Sequence, residues 1–379
     1  MVISQFRYAS TGNWIHTAGP AELKDPDLIF VFGGRFLLEK DEICDEIGIQ
    51  FNCRNVILAS TSGEICGSKV YDDSLVLTAV KFAGTHTRTA IINIKDFEDA
   101  QAAGEQLANL IPHDGLNHLF VISDGQMVNG TRLVEGLLSK LPESVAVTGG
   151  LAGDNGRFEK TLVGFNGKPL PGNIVIAGFY GDAIKIGYGS MGGWDSFGPV
   201  RLVTKSKDNI LYELDGKSAL NLYKTYLGEK ASGLPGTALL FPLAIQTDLN
   251  DEPIVRTILS VNETDQSMTF AGDIPMGSYG RFMKANFDRL IDGASVAANR
   301  TISGAGDESP ELAILISCVG RKLVLGQRVE EEVEAVAEVL GSDSVIAGFY
   351  SYGEISPFSK EVKCELHNQT MTITTFREI

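Results

Sequence analysis

Three apolar runs in this chain end in a glycine followed by a carboxylate. Asn55 to Gly67 reads NVILASTSGEICG, Ser144 to Gly156 reads SVAVTGGLAGDNG, and Val345 to Phe358 reads VIAGFYSYGEISPF. Glycine at a strand end allows a tight turn and exposes backbone N–H groups, which can receive a carboxylate or phosphate. The adjacent acid can receive an ammonium or cap a neighbouring helix. Glu64, Asp154 and Glu354 are therefore candidate ligands for an amine. Gly149, Gly150 and Gly153 are positions where a ligand could approach the backbone, and Tyr352 and Gly353 complete the third turn. The alternative is that the small residues let repeated units pack while the acids serve as caps.

Arg321 follows an apolar run and Gly320, where a guanidinium can grip a carboxylate through two parallel hydrogen bonds or form a structural ion pair with Glu354. Cys318 beside it reads as core. The five histidines, His16, His86, His113, His118 and His367, show neither an i,i+4 pair nor H-E-x-x-H, so they carry no zinc signature. Haem needs one axial histidine in an apolar pocket, which spacing cannot reveal. His118, opening the run HLFVI, and His113, just after a helical stretch, have the most ordered surroundings. Signs of catalysis are lacking. Gly187-x-Gly189-x-x-Gly192 matches a dinucleotide fingerprint by letters, but no apolar helix follows it. The chain has no P-loop and no G-x-S-x-G elbow. A non-enzymatic role is expected.

The elements that must position these residues repeat. Leu28 to Phe32, a helix carrying Ile43 and Ile47, and Val56 to Ala59 lead into the first Gly-acid turn, and Leu75 to Phe82 and Thr89 to Ile94 follow as strands. The second unit has a helix striped by Phe97, Ala100, Gly104, Leu107 and Ile111 and a strand from His118 to Ile122. A helix capped by Asn129 and a strand from Val145 to Thr148 then reach the second turn. Ile174 to Tyr180 and Ile184 to Tyr188 close it as a predicted hairpin turned at Gly181-Asp182. The third unit runs from Leu312 to Ile316 through an acidic helix to Val345–Tyr350. It ends in a hairpin of Val362–Leu366 and Thr370–Phe376, turned at Asn368-Gln369. Between units two and three come a helix with Leu220, Tyr223 and Leu227 stopped by Gly228, further strands, and a long helix over Arg281 to Arg300. Strand–helix–strand spacings of this length allow right-handed parallel crossovers. The expected fold class is α/β to α+β, with mixed sheets built from repeated strand–helix–strand–loop–hairpin units in two domains.

Composition narrows the function. With 379 residues the chain exceeds one typical domain, and 44% hydrophobic residues suffice for a full core. A formal net charge of −16 argues against nucleic acid and anionic membranes, both of which reward basic residues. The amino terminus lacks a signal-peptide layout, and no apolar run approaches bilayer-spanning length. Five cysteines without C-x-x-C spacing fit free thiols, so a cytoplasmic location is expected.

Several of these motifs are familiar together. Gly272-Asp273-Ile274-Pro275, the helix with Asn286 and Asp288, Cys318 with Gly320-Arg321, and Gly348-Phe349-Tyr350 followed by Tyr352-Gly353-Glu354-Ile355 resemble the carboxy-terminal domain of the FIST proteins. Ser60-Thr61-Ser62-Gly63-Glu64 and Gly149-Gly150-x-Ala152-Gly153-Asp154 resemble the FIST amino-terminal domain. The likeness covers residues 27 to 376, roughly, with the motifs in the family's order. It implies a sensory module of signal transduction that binds a small ligand such as an amino acid. It also implies, as an alternative, a stand-alone haem protein that senses nitric oxide and signals to a separate histidine kinase. The ligand is not defined by the resemblance, and no cofactor is assigned beyond that haem alternative. An enzyme using the same acid-lined cleft is a third reading. The expected layout is an irregular arm over 1–26, an amino-terminal domain with two units over 27–215, and a carboxy-terminal domain with the third unit over 216–379.

Overall fold

The computed structural model describes residues 1–9, 12–51, 53, 55–250, 252–305, 309–357 and 364–379. The first unit contains β1 (Val2–Tyr8), β2 (Leu28–Gly33), α1 (Asp41–Phe51), β3 (Val56–Ser60), β4 (Glu64–Cys66) and β5 (Leu75–Lys81). The second contains β6 (His86–Asn93), α2 (Ala100–Asn109), β7 (Leu116–Ser123), α3 (Gly130–Lys140), β8 (Ala146–Leu151), β9 (Val163–Phe165) and β10 (Asn173–Tyr180). The third opens with β11 (Ile184–Met191). After an insertion it continues with α4 (Phe287–Ala305), β12 (Leu312–Cys318), α5 (Val319–Leu325) and α6 (Val329–Leu340). β13 (Val345–Ser351), β14 (Gly353–Ser356) and β15 (Met371–Glu378) complete it.

Each unit builds one mixed sheet around a parallel pair: β2 with β3, β7 with β8, and β12 with β13. Apart from one short edge strand each (Trp14–Ala18 beside β1, Glu365–His367 beside β14 and Lys69–Tyr71 beside β4), the six-stranded sheets run β9-β3-β2-β5-β1, β14-β8-β7-β10-β6 and β4-β13-β12-β15-β11. The strand on the outer side of β3, β8 or β13 always comes from another unit. Unit one gives β4 to the third sheet, unit three gives β14 to the second, and unit two gives β9 to the first. The exchange is cyclic. Each Gly-acid turn is the point where the chain leaves its own sheet for its neighbour's.

The α/β class with mixed sheets is as expected, but the trailing strands do not form hairpins. β10 pairs with β7 and β6, whereas β11 pairs with β15 in the next sheet. A link as short as Gly181–Ala183 serves a sheet crossing as well as a hairpin, and the apolar face of β11 finds its core in the third sheet. The same holds at the carboxyl end, where Glu365–His367 pairs with β14 and not with β15. Val362 and Lys363 of the expected last hairpin lie outside the described residues.

The inner faces share one core. Phe30 meets Phe120 at 5.4 Å, Phe32 meets Phe349 at 4.7 Å, and Phe179 meets Phe376 at 5.0 Å, so every pair of sheets is joined by an aromatic contact. The outer faces are covered by α1, by α2 with α3, and by α4 with α6. Strands buried on both faces explain the unbroken apolar runs of the sequence.

Residues 195–284 form an insert with its own sheet and its own core of Leu211, Leu214, Leu220, Tyr223, Phe270 and Phe282. Its helix Ala219–Leu227 stops at Gly228, which has φ +58. The long helix begins later than expected. Tyr279–Lys284 is a strand that carries Phe282 into the insert core, and Asn286, whose side chain accepts from Arg289 N–H, starts the helix. Among the described residues, no helix is long and apolar enough to cross a membrane.

Candidate functional site

The cyclic exchange brings the three Gly-acid turns to one place. Ser62 N–H donates to the Tyr350 carbonyl and Tyr350 N–H to the Gly63 carbonyl, each at 2.8 Å, while Gly153 N–H donates to the Ser60 carbonyl at 2.8 Å. The turns fill the space between them. A Cβ on Gly153 would collide with Ser62, and one on Gly149, at φ +147, would collide with the Val121 carbonyl. Gly150 and Gly353 are similarly closed in by Ile316 and by Leu151 with Leu366. These glycines permit close packing of one repeat on another.

The carboxylates are spent inside the fold. Glu64 Oε1 accepts from the Thr61 hydroxyl, and its Oε2 accepts from Ser74 N–H at 3.0 Å and Ser74 Oγ at 2.7 Å. Glu354 repeats the cradle, with Ser351 Oγ at 2.6 Å and Thr370 N–H and Oγ1 at 3.3 and 3.1 Å. Burial pushes Glu64 up to about 7 and Glu354 up to about 8. Asp154 instead accepts from Arg35 Nε at 2.9 Å, Arg157 Nε at 3.1 Å and Lys160 N–H at 3.3 Å. Arg321 is equally committed. It pairs with Glu332 at 2.8 Å, not with Glu354, and donates to the carbonyls of Gly192 and Leu290. Tyr350 Oη completes Glu332 at 2.8 Å.

The histidines weighed for haem are likewise occupied. His118 is buried with Nε2 on Thr148 Oγ1 at 2.8 Å, and burial holds its pKa down to about 3. His113 Nε2 contacts the Ala108 carbonyl at 2.9 Å. Neither lines either of the two cavities described below, so neither His118 nor His113 fits an axial ligand for haem there.

Room for a guest lies beside the plugged junction, where the insert faces the three-sheet core. A cleft of about 700 Å³ has Met127, Leu151, Phe158, Cys318, Gly320 and Tyr352 on its core wall. Thr257, Ile258, Leu259, Phe270 and Asp273 lie on its insert wall. Tyr352 is thus the sequence-flagged site residue that reaches open space. Its hydroxyl accepts from Phe158 N–H at 3.0 Å and donates to the Asn155 carbonyl at 3.1 Å, and its ring stacks on Phe158 at 4.6 Å. The charged wall residue Asp273 is held by Arg132 at 3.5 Å and by Asn129 at 3.2 Å. Thr257 is 6% exposed, and its Oγ1 has no hydrogen-bond partner among the described residues. Burial pushes the Cys318 thiol far up, which makes it a weak nucleophile.

A second cavity of about 820 Å³ lies beyond Asp273 and is charged, with Arg132, Glu135, Asp208, Glu252, Arg256 and Glu365 on its walls. Arg256, pushed down to about 10 by burial, ties insert to core through the Leu366 carbonyl at 2.7 Å.

The FIST N domain matches residues 27–217 and the FIST C domain matches residues 219–357. The chain belongs to the FIST family. FIST domains are associated with sensory signal transduction and small-ligand sensing. A relative, an uncharacterized protein of Methanocaldococcus jannaschii, is 24% identical over 362 residues, covering 84% of this chain and 68% of its own. Among solved structures, cyanuric acid hydrolase from A. caulinodans matches with 8% identity and a TM-score of 0.22, over 78% of this chain and 68% of its own, too weakly to equate the folds.

Thr257 and the wall of the insert carry no sequence signal of their own. Only the pairing of insert with core makes a surface of them. Asn368 and Gln369 look like an exposed turn by residue type, yet both are buried, Gln369 against the back of Gly320.

Proposed function

We propose that this FIST protein is a cytoplasmic, non-enzymatic sensor that takes a small, partly apolar molecule into the cleft between insert and core. Occupancy would favour one placement of the insert over others, and a separate signalling protein, such as a histidine kinase, would respond to it. The observation that carries this reading is a roughly 700 Å³ apolar cleft at the junction of two separately cored parts, with an unpartnered buried hydroxyl on its wall. The connection suits a hinge. The chain crosses between the parts near Gly192–Asp195 and again near Lys284–Phe287, where Asp195 is held by Arg289 and Asn286 at 3.1 Å each.

Thermal unfolding against a panel of amino acids and small neutral metabolites tests the proposal. A ligand at 100 times its Kd adds about 2.7 kcal/mol of stability. Leu259→Trp, which fills the cleft mouth, should abolish that gain. A ligand gain that persists undiminished in Leu259→Trp would place binding elsewhere.

A further inference from the structure

Phe158 combines three features that the packing of the fold does not explain. It is 44% exposed, it lines the cleft, and its backbone sits at φ +54. A left-handed conformation is costly for a bulky side chain, and strain of this kind collects at ligand clamps. The loop is held in that shape by a residue of another unit. Tyr352 Oη accepts from Phe158 N–H at 3.0 Å and donates to the Asn155 carbonyl at 3.1 Å, so one hydroxyl ties both ends of the bend that carries the ring. The two rings lie 4.6 Å apart at 15°, a near-parallel stack. Tyr352 is buried, which makes it a firm support. It covers one face of the Phe158 ring, and among the described residues no other ring or cation takes the second.

The other walls fit an apolar, uncharged guest. Met127 and Leu259 are likewise large apolar side chains left exposed at this cleft, and Leu151, Ile258 and Phe270 line it. Asp273 is the one charged residue among the described lining residues, and Arg132 and Asn129 hold it. A charged molecule entering here would lose hydration without gaining a free counter-charge. Any apolar body gains from being buried between these walls. A flat ring gains in addition from stacking on an aromatic side chain that is already ordered.

We propose that Phe158, braced by Tyr352, is the stacking platform of the cleft, and that the ligand is a neutral molecule with a flat aromatic or heteroaromatic ring. The strained loop and the buried tyrosine beneath it keep the platform in place before the ligand arrives, so little ordering is left to be done on binding. This ligand class rests on the cleft being the ligand site.

Calorimetric titration of the full chain with naphthol, its saturated analogue decahydronaphthol and its carboxylate analogue naphthoate tests it. The first two share a skeleton and a hydroxyl, and the saturated one is the more apolar, so burial alone cannot favour naphthol. Naphthol should bind about fivefold more tightly than decahydronaphthol, the size expected of one aromatic stack. It should bind about tenfold more tightly than naphthoate, whose charge finds no partner. Phe158→Leu keeps the apolar bulk and should erase the preference for naphthol over decahydronaphthol, whereas Phe158→Tyr keeps the ring and should retain it. The two wild-type ratios decide the matter if Phe158→Leu fails to fold. Equal affinity for naphthol and decahydronaphthol, or a preference undiminished in Phe158→Leu, overturns the platform. Naphthoate binding as tightly as naphthol overturns the neutral class. In either case, binding abolished by Leu259→Trp leaves the cleft reading standing, and binding indifferent to Leu259→Trp overturns both. No binding by any of the three overturns the flat-ring class, and thermal unfolding against the amino acid and metabolite panel then decides the cleft by itself.

Discussion

The junction of the three Gly-acid turns and the cleft beside it differ in a way that residue types alone conceal. The junction gathers Glu64, Asp154 and Glu354, and a few residues away Arg321, yet every one of these groups has its partners within the fold. The cleft has little net charge on its walls, and among the described residues the Thr257 hydroxyl there is left unmet. Charge at a strand end is thus a poor guide to binding in this molecule. Unspent hydrogen-bonding capacity beside open volume is the better guide, because a satisfied carboxylate gains little from a ligand and an orphaned hydroxyl gains more.

The largest effect that would break this contrast is at the junction. Arg321→Ala leaves Glu332 as an unpaired buried charge, and should cost about 3–5 kcal/mol in urea denaturation. A loss under about 1 kcal/mol would mean that the ion pair is not what holds α5 to α6. Next comes the cleft. Leu259→Trp, at an exposed position, should change intrinsic stability by less than about 0.5 kcal/mol while removing a ligand's stabilisation of about 2.7 kcal/mol at 100 Kd.

The third prediction concerns pH. Glu354 is raised in the fold from 4.5 to about 8, so its contribution is full below about 4.5 and is lost as pH rises through about 8. Glu64 behaves alike up to about 7. The lowered His118 and His367 act in the opposite sense, their contribution falling away as pH drops below 6.5. They are common to wild type and variant, so a difference measurement removes them. Relative to Glu354→Gln, the wild type should lose up to about 1.4 kcal/mol per pH unit between pH 5 and 8. A pH-independent difference would show that Glu354 is ionised in the fold. The smallest effect is at the cleft wall, where Thr257→Val should be neutral or stabilising by up to about 1 kcal/mol in the absence of ligand. A destabilisation above that value would reveal a structural partner for the hydroxyl.

Much of the fold was legible before the structure. The doubly buried strands announce themselves as apolar runs, and Asn129 caps α3 as expected, accepting from Arg132 N–H at 3.2 Å. The cyclic strand exchange was not legible. β4 and β9 are three residues long, and their pairing with strands far away in the chain leaves no periodic trace. Asn368-Gln369 resembled a surface turn because local chemistry cannot report burial by distant elements.

The amino-acid sequence by itself determined the repeat, the strands and helices within it, the glycines that close packing demands, and the FIST motifs, since all of these are written in local residue types and spacing. Tertiary structure alone decided which carboxylates are satisfied, which sheet each trailing strand joins, and where a polar group is left without a partner. Those outcomes depend on contacts between segments up to some hundreds of residues apart, and hydrogen-bond satisfaction is a property of the assembled neighbourhood, not of any residue in it.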